Sequence, residues 1–266
     1  MARPLTPLRE LTTVDEVRSA CGDDVLIMWA AQGGKPGVRA WALGDAIAVA
    51  CPDLMRGDRL TIHGDAGSAA VLVRHALAEC GPTYRLAGDE PLVRAVVERV
   101  PELEFAAAFY WMDTDRPAPV ADAAKGAGTH ALPEAEAHAY WLAESDAPEI
   151  SALLEVASPS AYAVPGLPGV RRWAGVRRDG ELVAVAADAW SAPTVGFIAG
   201  VATAPAHRGK GYGEAVCRLV TDSLLAAHGR VALMVDADNP PALRLYKRLG
   251  MVRRGIAAAR VREQHD

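Results

Sequence analysis

The residues best suited to chemistry lie between Val201 and Gly213, where the chain reads V-A-T-A-P-A-H-R-G-K-G-Y-G. Three glycines alternate at 209, 211 and 213. Alternating glycines let a backbone curl until successive N–H groups point inward, which makes an anion nest. The apolar pattern that follows, with Ala215, Val216, Leu219, Val220, Leu224 and Ala227 on one side, predicts a helix over 211–227, stopped by Gly229. The free N–H groups and positive dipole end of that helix add to the pull on an anion. Arg208 and Lys210 add full charges. The physics is that of a diphosphate site. It is not a Walker loop, because Gly-Lys lacks the preceding Gly-x-x-x-x spacer and the following Ser/Thr. It is not G-x-G-x-x-G either, since the third glycine arrives one residue early.

The elements that must position this loop follow from the pattern around it. Residues 195–203 read as the strand leading in. Residues 231–237 read as a strand leading out, followed by a helix begun by Asn239-Pro240-Pro241, with Ala242, Leu245, Tyr246 and Leu249 on one face and Gly250 at its end. Upstream, 139–143 reads as a short strand. A helix opens at Asp146-Ala147-Pro148, and 158–169 is a Pro/Gly loop. Strands at 172–176 and 182–190 flank the turn R-R-D-G-E. A last strand falls near 256–261. A strand meander followed by β-α-β-α predicts a mixed α/β sheet packed by helices.

The 266 residues carry a formal net charge of −5 and a pI of about 5.8. That balance argues against a chain built on nucleic-acid phosphate contacts. Four cysteines, at 21, 51, 80 and 217, form no C-x-x-C pair and no metal spacing, so no metal site is expected. Reduced thiols and the lack of an apolar leader in M-A-R-P-L-T-P-L-R-E point to a cytoplasmic protein. The apolar run at 25–31 reads as a buried strand, too short for a membrane helix. The Pro/Ala/Gly-rich stretch at 114–128 reads as a linker between an N-terminal part, 1–113, and a C-terminal part, 129–266. The N-terminal part repeats the layout loosely. It has a strand at 60–63, a loop at 63–68, a helix to Gly81, a strand at 83–86, a helix at 91–100 and a strand at 105–112.

Arg208-Gly209-Lys210-Gly211-Tyr212-Gly213 resembles the R/Q-x-x-G-x-G/A loop of the GNAT N-acetyltransferase superfamily. Leu233-x-Val235, Asn239, Ala242, Leu245-Tyr246 and Gly250-Met251 are similar to the family's L-x-V-x-x-x-N-x-x-A-x-x-L-Y-x-x-x-G-F pattern, with Met in the usual place of Phe. The resemblance covers residues 130–266. It implies a GNAT-like fold in tandem, with a degenerate N-terminal copy whose loop H-G-D-A-G-S has lost the basic residue and the glycine spacing.

The resemblance further implies acetyl-CoA as cosubstrate and a small-molecule or peptide amine as acceptor; the charge balance and the short apolar runs add the expectation of no nucleic acid and no membrane partner. Residues 208–213, Tyr212 included, would take the diphosphate. Val201, Ala202 and Thr203 would take the pantetheine arm as an added strand, with a backbone N–H near Val201 for the oxyanion. Asn239 would touch the pantetheine amide or simply cap its helix. Tyr246 would protonate the departing thiolate, unless it is a core aromatic. An amine of pKa ~10 must first lose a proton. The family's usual Glu on the fourth strand is absent from 195–203, which leaves Asp188, Asp236, Asp238 and His207 as candidate bases. Tyr162, Trp173 and Trp190 are candidates to line the acceptor pocket. The missing acid also keeps open a non-catalytic CoA-binding sensor or scaffold.

Overall fold

The computed structural model describes residues 7–118 and 138–262. The N-terminal half runs β1 (Arg9–Leu11), α1 (Val14–Cys21), α2 (Val25–Ala30), β2 (Arg39–Leu43), β3 (Ala46–Cys51), β4 (Arg59–His63), α3 (Ala66–Cys80), β5 (Arg85–Asp89), α4 (Glu90–Arg99) and β6 (Leu103–Thr114). The C-terminal half runs β7 (Tyr140–Trp141), α5 (Ala147–Ala157), β8 (Val170–Arg178), β9 (Glu181–Ala189), β10 (Gly196–Thr203), α6 (Tyr212–His228), β11 (Val231–Asp236), α7 (Pro240–Arg248) and β12 (Val252–Val261). The second half follows the sequence reading closely. Of the expected linker, residues 119–128 lie outside the described residues.

All the strands among the described residues join one 12-stranded sheet in the order β1-β2-β3-β4-β5-β12-β6-β11-β10-β9-β8-β7. Two parallel pairs, β4 with β5 and β10 with β11, sit symmetrically about its centre. At the centre the halves exchange strands. β12, from the end of the chain, lies between β5 and β6, while β6 lies between β12 and β11. Each half therefore closes its sheet with a strand of the other, and the antiparallel β6–β12 pair relates two halves that run in opposite directions. The ends of β10 and β11 thus reach the same end of the sheet as the beginnings of β4 and β5.

Alternation along the strands sends successive residues to opposite faces. On one face a single core runs across both halves and gathers α1, α2 and α5 with Trp111, Phe197 and Ile256. On the other face α3 and α4 form one core, and α6 and α7 another. The shared core is centred on three rings: Trp29 stacks on Phe197 at 4.8 Å, and Trp111 tilts against both at 5.5 and 5.7 Å. Each such pair adds about 0.5–1.5 kcal/mol beyond the area it buries.

The run at 25–31, expected as a strand, is instead the helix α2. Seven consecutive apolar residues carry no period that separates the two. Asp24 decides locally: its carboxylate accepts from the Ile27 N–H at 3.0 Å and caps the turn. The helix is buried on every side, with Leu26 to Ala30 all at 1% exposure or less. The Trp29 indole donates to the Trp190 carbonyl at 2.9 Å, which ties this helix to the other half.

Candidate active site

β10 and β11 pair in parallel only from Gly196–Ile198 to Val231–Leu233. Beyond that the strands diverge, and a cavity of about 1120 Å³ opens between them. On its other edge β10 slips register against β9 between Ala199 and Ala202. The slip is a bulge built on Gly200, whose φ is +61°. A Cβ there would lie 2.5 Å from the Trp173 ring, so both the backbone and the packing demand glycine. The divergence leaves Ala199–Thr203 as a strand edge facing a hole. Such an edge suits an extended ligand carrying amide groups.

At the end of β10 the chain enters the glycine loop. Gly209 and Gly211 have φ of +75° and +85°, and a Cβ at either would meet open space, so the conformation alone calls for glycine. Gly211 caps α6 without any side-chain hydrogen bond, which leaves the first-turn N–H groups free for a ligand. Gly213 fits for a second reason: a Cβ would lie 2.9 Å from the Thr203 hydroxyl. Arg208 is held in place by the Thr203 carbonyl at 3.3 Å and the Ala157 carbonyl at 3.1 Å.

The remaining expected site residues divide. Val201, Ala202, Thr203, Arg208, Gly209, Gly211, Tyr212, Gly213, Asn239 and Tyr246 all line the cavity. Lys210 does not; it is exposed. Tyr212 touches the cavity but is 3% exposed and packs in the α6 core, so its ring is structural and its contribution is its backbone. Asn239 caps α7 by accepting from the Ala242 N–H at 3.2 Å. Tyr246 is buried on α7 beside Cys217. Burial raises its hydroxyl well above the ordinary tyrosine value, so it holds its proton at neutral pH. Burial likewise pushes the Cys217 thiol up to about 12, which makes it inert.

Of the candidate bases, Asp188 is 3% exposed and occupied: its carboxylate accepts from Ser191 at 2.7 Å and pairs with Arg172 at 3.3 Å, outside the cavity. Asp238 does not line the cavity. Asp236 and His207 do. Glu214, absent from the sequence reading, also lines it, but Arg248 binds its carboxylate at 2.7 Å. Of the three aromatics expected around the acceptor, Tyr162 lines the cavity. Trp173 and Trp190 are buried core instead: Trp173 braces the Gly200 bulge, and the Trp190 indole donates to the Pro168 carbonyl at 3.0 Å.

The cavity does not end at the C-terminal half. Trp29, Met55, Arg59, Thr61, Arg85 and Phe109 continue its wall from the N-terminal half. The sequence reading missed them because they lie some ninety residues or more from the glycine loop and share no local motif with it. Among the described residues, no group of three or more His, Cys, Asp or Glu is gathered to hold a metal ion. No helix among them is long and apolar enough to cross a membrane.

Residues 161–251 match the model of the Acetyltransferase (GNAT) family. This segment is a GNAT domain. It spans β8 to β11, the glycine loop and α7; of these, β10 with its bulge, the loop, the start of α6, β11 and α7 line the C-terminal side of the cavity. Membership supports the transfer of an acyl group from CoA to an acceptor. Solved structures extend the likeness to the whole chain. A GCN5-related N-acetyltransferase from Kribbella flavida is 20% identical, with 94% of this chain and 96% of that one covered and a TM-score of 0.58. Another from Sphaerobacter thermophilus is 16% identical over 98% of both chains, with a TM-score of 0.56. A tandem GNAT protein from the clavulanic acid biosynthesis pathway is 14% identical over 98% of this chain and 100% of that one, with a TM-score of 0.50. These likenesses show the fold: the N-terminal half is GNAT-like as well. No curated protein matched the chain.

Proposed function

We propose that the protein is an N-acetyltransferase that moves an acetyl group from acetyl-CoA to an amine by direct attack on the thioester. The observation that carries this reading is the cleft between β10 and β11, with an uncapped helix start at its mouth and a protonated tyrosine on its wall. The α6 N–H groups and Arg208 hold the diphosphate. The edge at Ala199–Thr203 takes the pantetheine arm. The bulge turns a backbone N–H near Val201 toward the thioester oxygen, where it stabilises the charge that develops during attack. Tyr246 keeps its proton until a thiolate forms beside it. A free thiol has a pKa of ~8.5, and the same dry surroundings that raise Tyr246 make a buried thiolate more basic too, so the transfer is close to matched. Asp236 and His207 are the cavity-lining groups left to accept the amine proton, directly or through water.

The absence of any acid from β10 favours one second reading, a CoA-binding sensor without turnover. Release of free thiol from acetyl-CoA, measured with a panel of primary amines, separates the two. Acceptor-dependent release supports the transferase. Tight CoA binding with no release above the solvent rate across the panel supports the sensor.

A further inference from the structure

The N-terminal wall of the cavity carries charge that the transfer chemistry does not use. Arg59 opens β4 and Arg85 opens β5, and they are direct register partners in the parallel pair. Both line the cavity, together with Tyr162 from the opposite half. Like charges directly opposite one another on neighbouring strands destabilise a sheet, so the pair calls for a compensating group. Among the described residues no carboxylate comes within ion-pairing distance of either arginine, and Asp58 offsets the Arg59 charge only from a distance. Arg59 donates to the Met55 carbonyl at 2.8 Å and the Asp58 carbonyl at 3.1 Å. The Asp58 carboxylate is turned to the Asp53 N–H at 3.1 Å and the Thr83 hydroxyl at 2.5 Å. Arg85 reaches only the Tyr162 hydroxyl, at 3.5 Å, and Arg56 lies 5.9 Å above the Tyr162 ring. Among the described residues none of these three arginines has an ion-pair partner. Arg59 is also largely buried, and burial opposes its charge.

The chain direction places this cluster at the end of the sheet where the cleft between β10 and β11 opens, in the wall of the same cavity. Because the halves run in opposite directions, the beginnings of β4 and β5 meet the ends of β10 and β11, where the thioester would sit. The diphosphate has its own receptor at α6. We propose that Arg59 and Arg85 receive an anionic group, a carboxylate or a phosphate, on the acceptor whose amine is acetylated. This rests on the transferase reading above. A guanidinium fork matches either group in two parallel hydrogen bonds, and five N–H donors per arginine leave several free for it. The acceptors of this enzyme are then amino acids, phosphorylated amines or acidic peptides rather than simple alkylamines. The N-terminal half, without a diphosphate nest, supplies the specificity.

The test compares paired acceptors that differ only in the anion: β-alanine against propylamine, and phosphoethanolamine against ethanolamine. The wild-type protein should prefer an anionic member in kcat/KM, and Arg59→Gln with Arg85→Gln should cut that preference about 10- to 100-fold, the usual loss for a charge-assisted hydrogen bond. Arg85→Lys should keep part of it. Inorganic phosphate added to the CoA-loaded protein gives a readout independent of turnover: it should raise Tm in the wild type and not in the double variant. Circular dichroism confirms that the variants fold. Equal phosphate shifts in both proteins, or a preference unchanged by the double substitution, overturn the proposal. So does a fall in CoA affinity in the double variant, which would assign the arginines to the cofactor. Absence of turnover alone strikes the transferase reading; the phosphate arm still decides the arginine site.

Discussion

Asp24 and Arg254 lie 230 residues apart in the chain and pair side chain to side chain where the two halves exchange strands. Asp24 caps α2, the helix that carries Trp29 into the shared core, and Arg254 comes from β12, the exchanged strand. Arg254 also meets Asp89 at 3.0 Å, and Asp113 lies nearby on β6. The cluster acts as an ionic clasp between the halves.

The clasp makes a pH-dependent prediction with two signs. Burial alone would raise the Asp24 carboxyl, but the Arg254 hydrogen bond and charge, the Ile27 N–H and His63 together hold it below the usual aspartate value. Its contribution is therefore present above the unfolded value of ~3.9 and is lost as pH falls through the depressed folded value. Asp24→Asn should destabilise the protein by about 1–3 kcal/mol at pH 7, less than a fully buried pair because Asp89 still holds Arg254. The gap should close below about pH 4. Asp113 behaves oppositely: burial raises it, with Arg254 only partly offsetting. Asp113→Asn should raise Tm at pH 7, and the gain should vanish in acid, where both forms are neutral. Urea titrations at several pH values check both. Equal losses for the two variants would show that the clasp is not the electrostatic unit described.

Gly211 is the hinge of the diphosphate reading. Its φ of +85° costs any other L-residue about 1–2 kcal/mol, and a larger side chain would stand among the free N–H groups of α6. Gly211→Val should keep the fold while CoA affinity falls at least tenfold, as measured by calorimetry. Affinity equal to the wild type would remove the anion site from this loop.

Tyr246→Phe keeps the ring in the α6–α7 core and deletes only the hydroxyl that donates the proton. The expected loss in kcat is about 10²–10⁴-fold, the range of general acid catalysis, with KM for acetyl-CoA and Tm nearly unchanged. A rate equal to wild type, with chemistry rate-limiting, would leave Tyr246 as packing alone.

The contrast between the halves shows what a sequence carries. β8 to β12 and α5 to α7 were legible because motif, caps and periodicity agree on each of them. Tyr246, Gly211 and Gly213 were legible because they belong to one contiguous pattern. In the first half the local signals compete. β3, Ala46–Cys51, is buried on both faces, so its alternation of alanine with Ile47, Val49 and Cys51 is a contrast of size rather than polarity. The start of α1 was marked by Thr13 and Glu16, which form a reciprocal cap, a signal available in T-x-x-E. Arg59 and Arg85 had no such mark. They become neighbours only through strand pairing, and they reach the glycine loop's cavity only because β6 and β12 change places.

That exchange leads to the last prediction, on cofactor stoichiometry. The N-terminal counterpart of the glycine loop, His63–Ser68, begins α3, and its helix start is already occupied: the Asp65 carboxylate accepts from the Ser68 N–H at 2.9 Å. A negative charge thus sits where a diphosphate would have to bind, and the N–H that would face it is spent. Gly64 closes the loop further. With φ of +100°, it lies so near the preceding turn that a Cβ would stand 2.4 Å from the Asp45 carbonyl. The loop is packed down rather than raised into a nest. It also lies at the end of the sheet opposite residues 208–213, because the two halves are antiparallel. The intact protein should bind one CoA per chain in calorimetric titration, and Gly211→Val should abolish that single equivalent. Asp65→Ser should add none, since removing the charge does not lift the loop off Asp45 and Ala46. A second equivalent that survives Gly211→Val would mean that the N-terminal half retains a working cofactor site of its own.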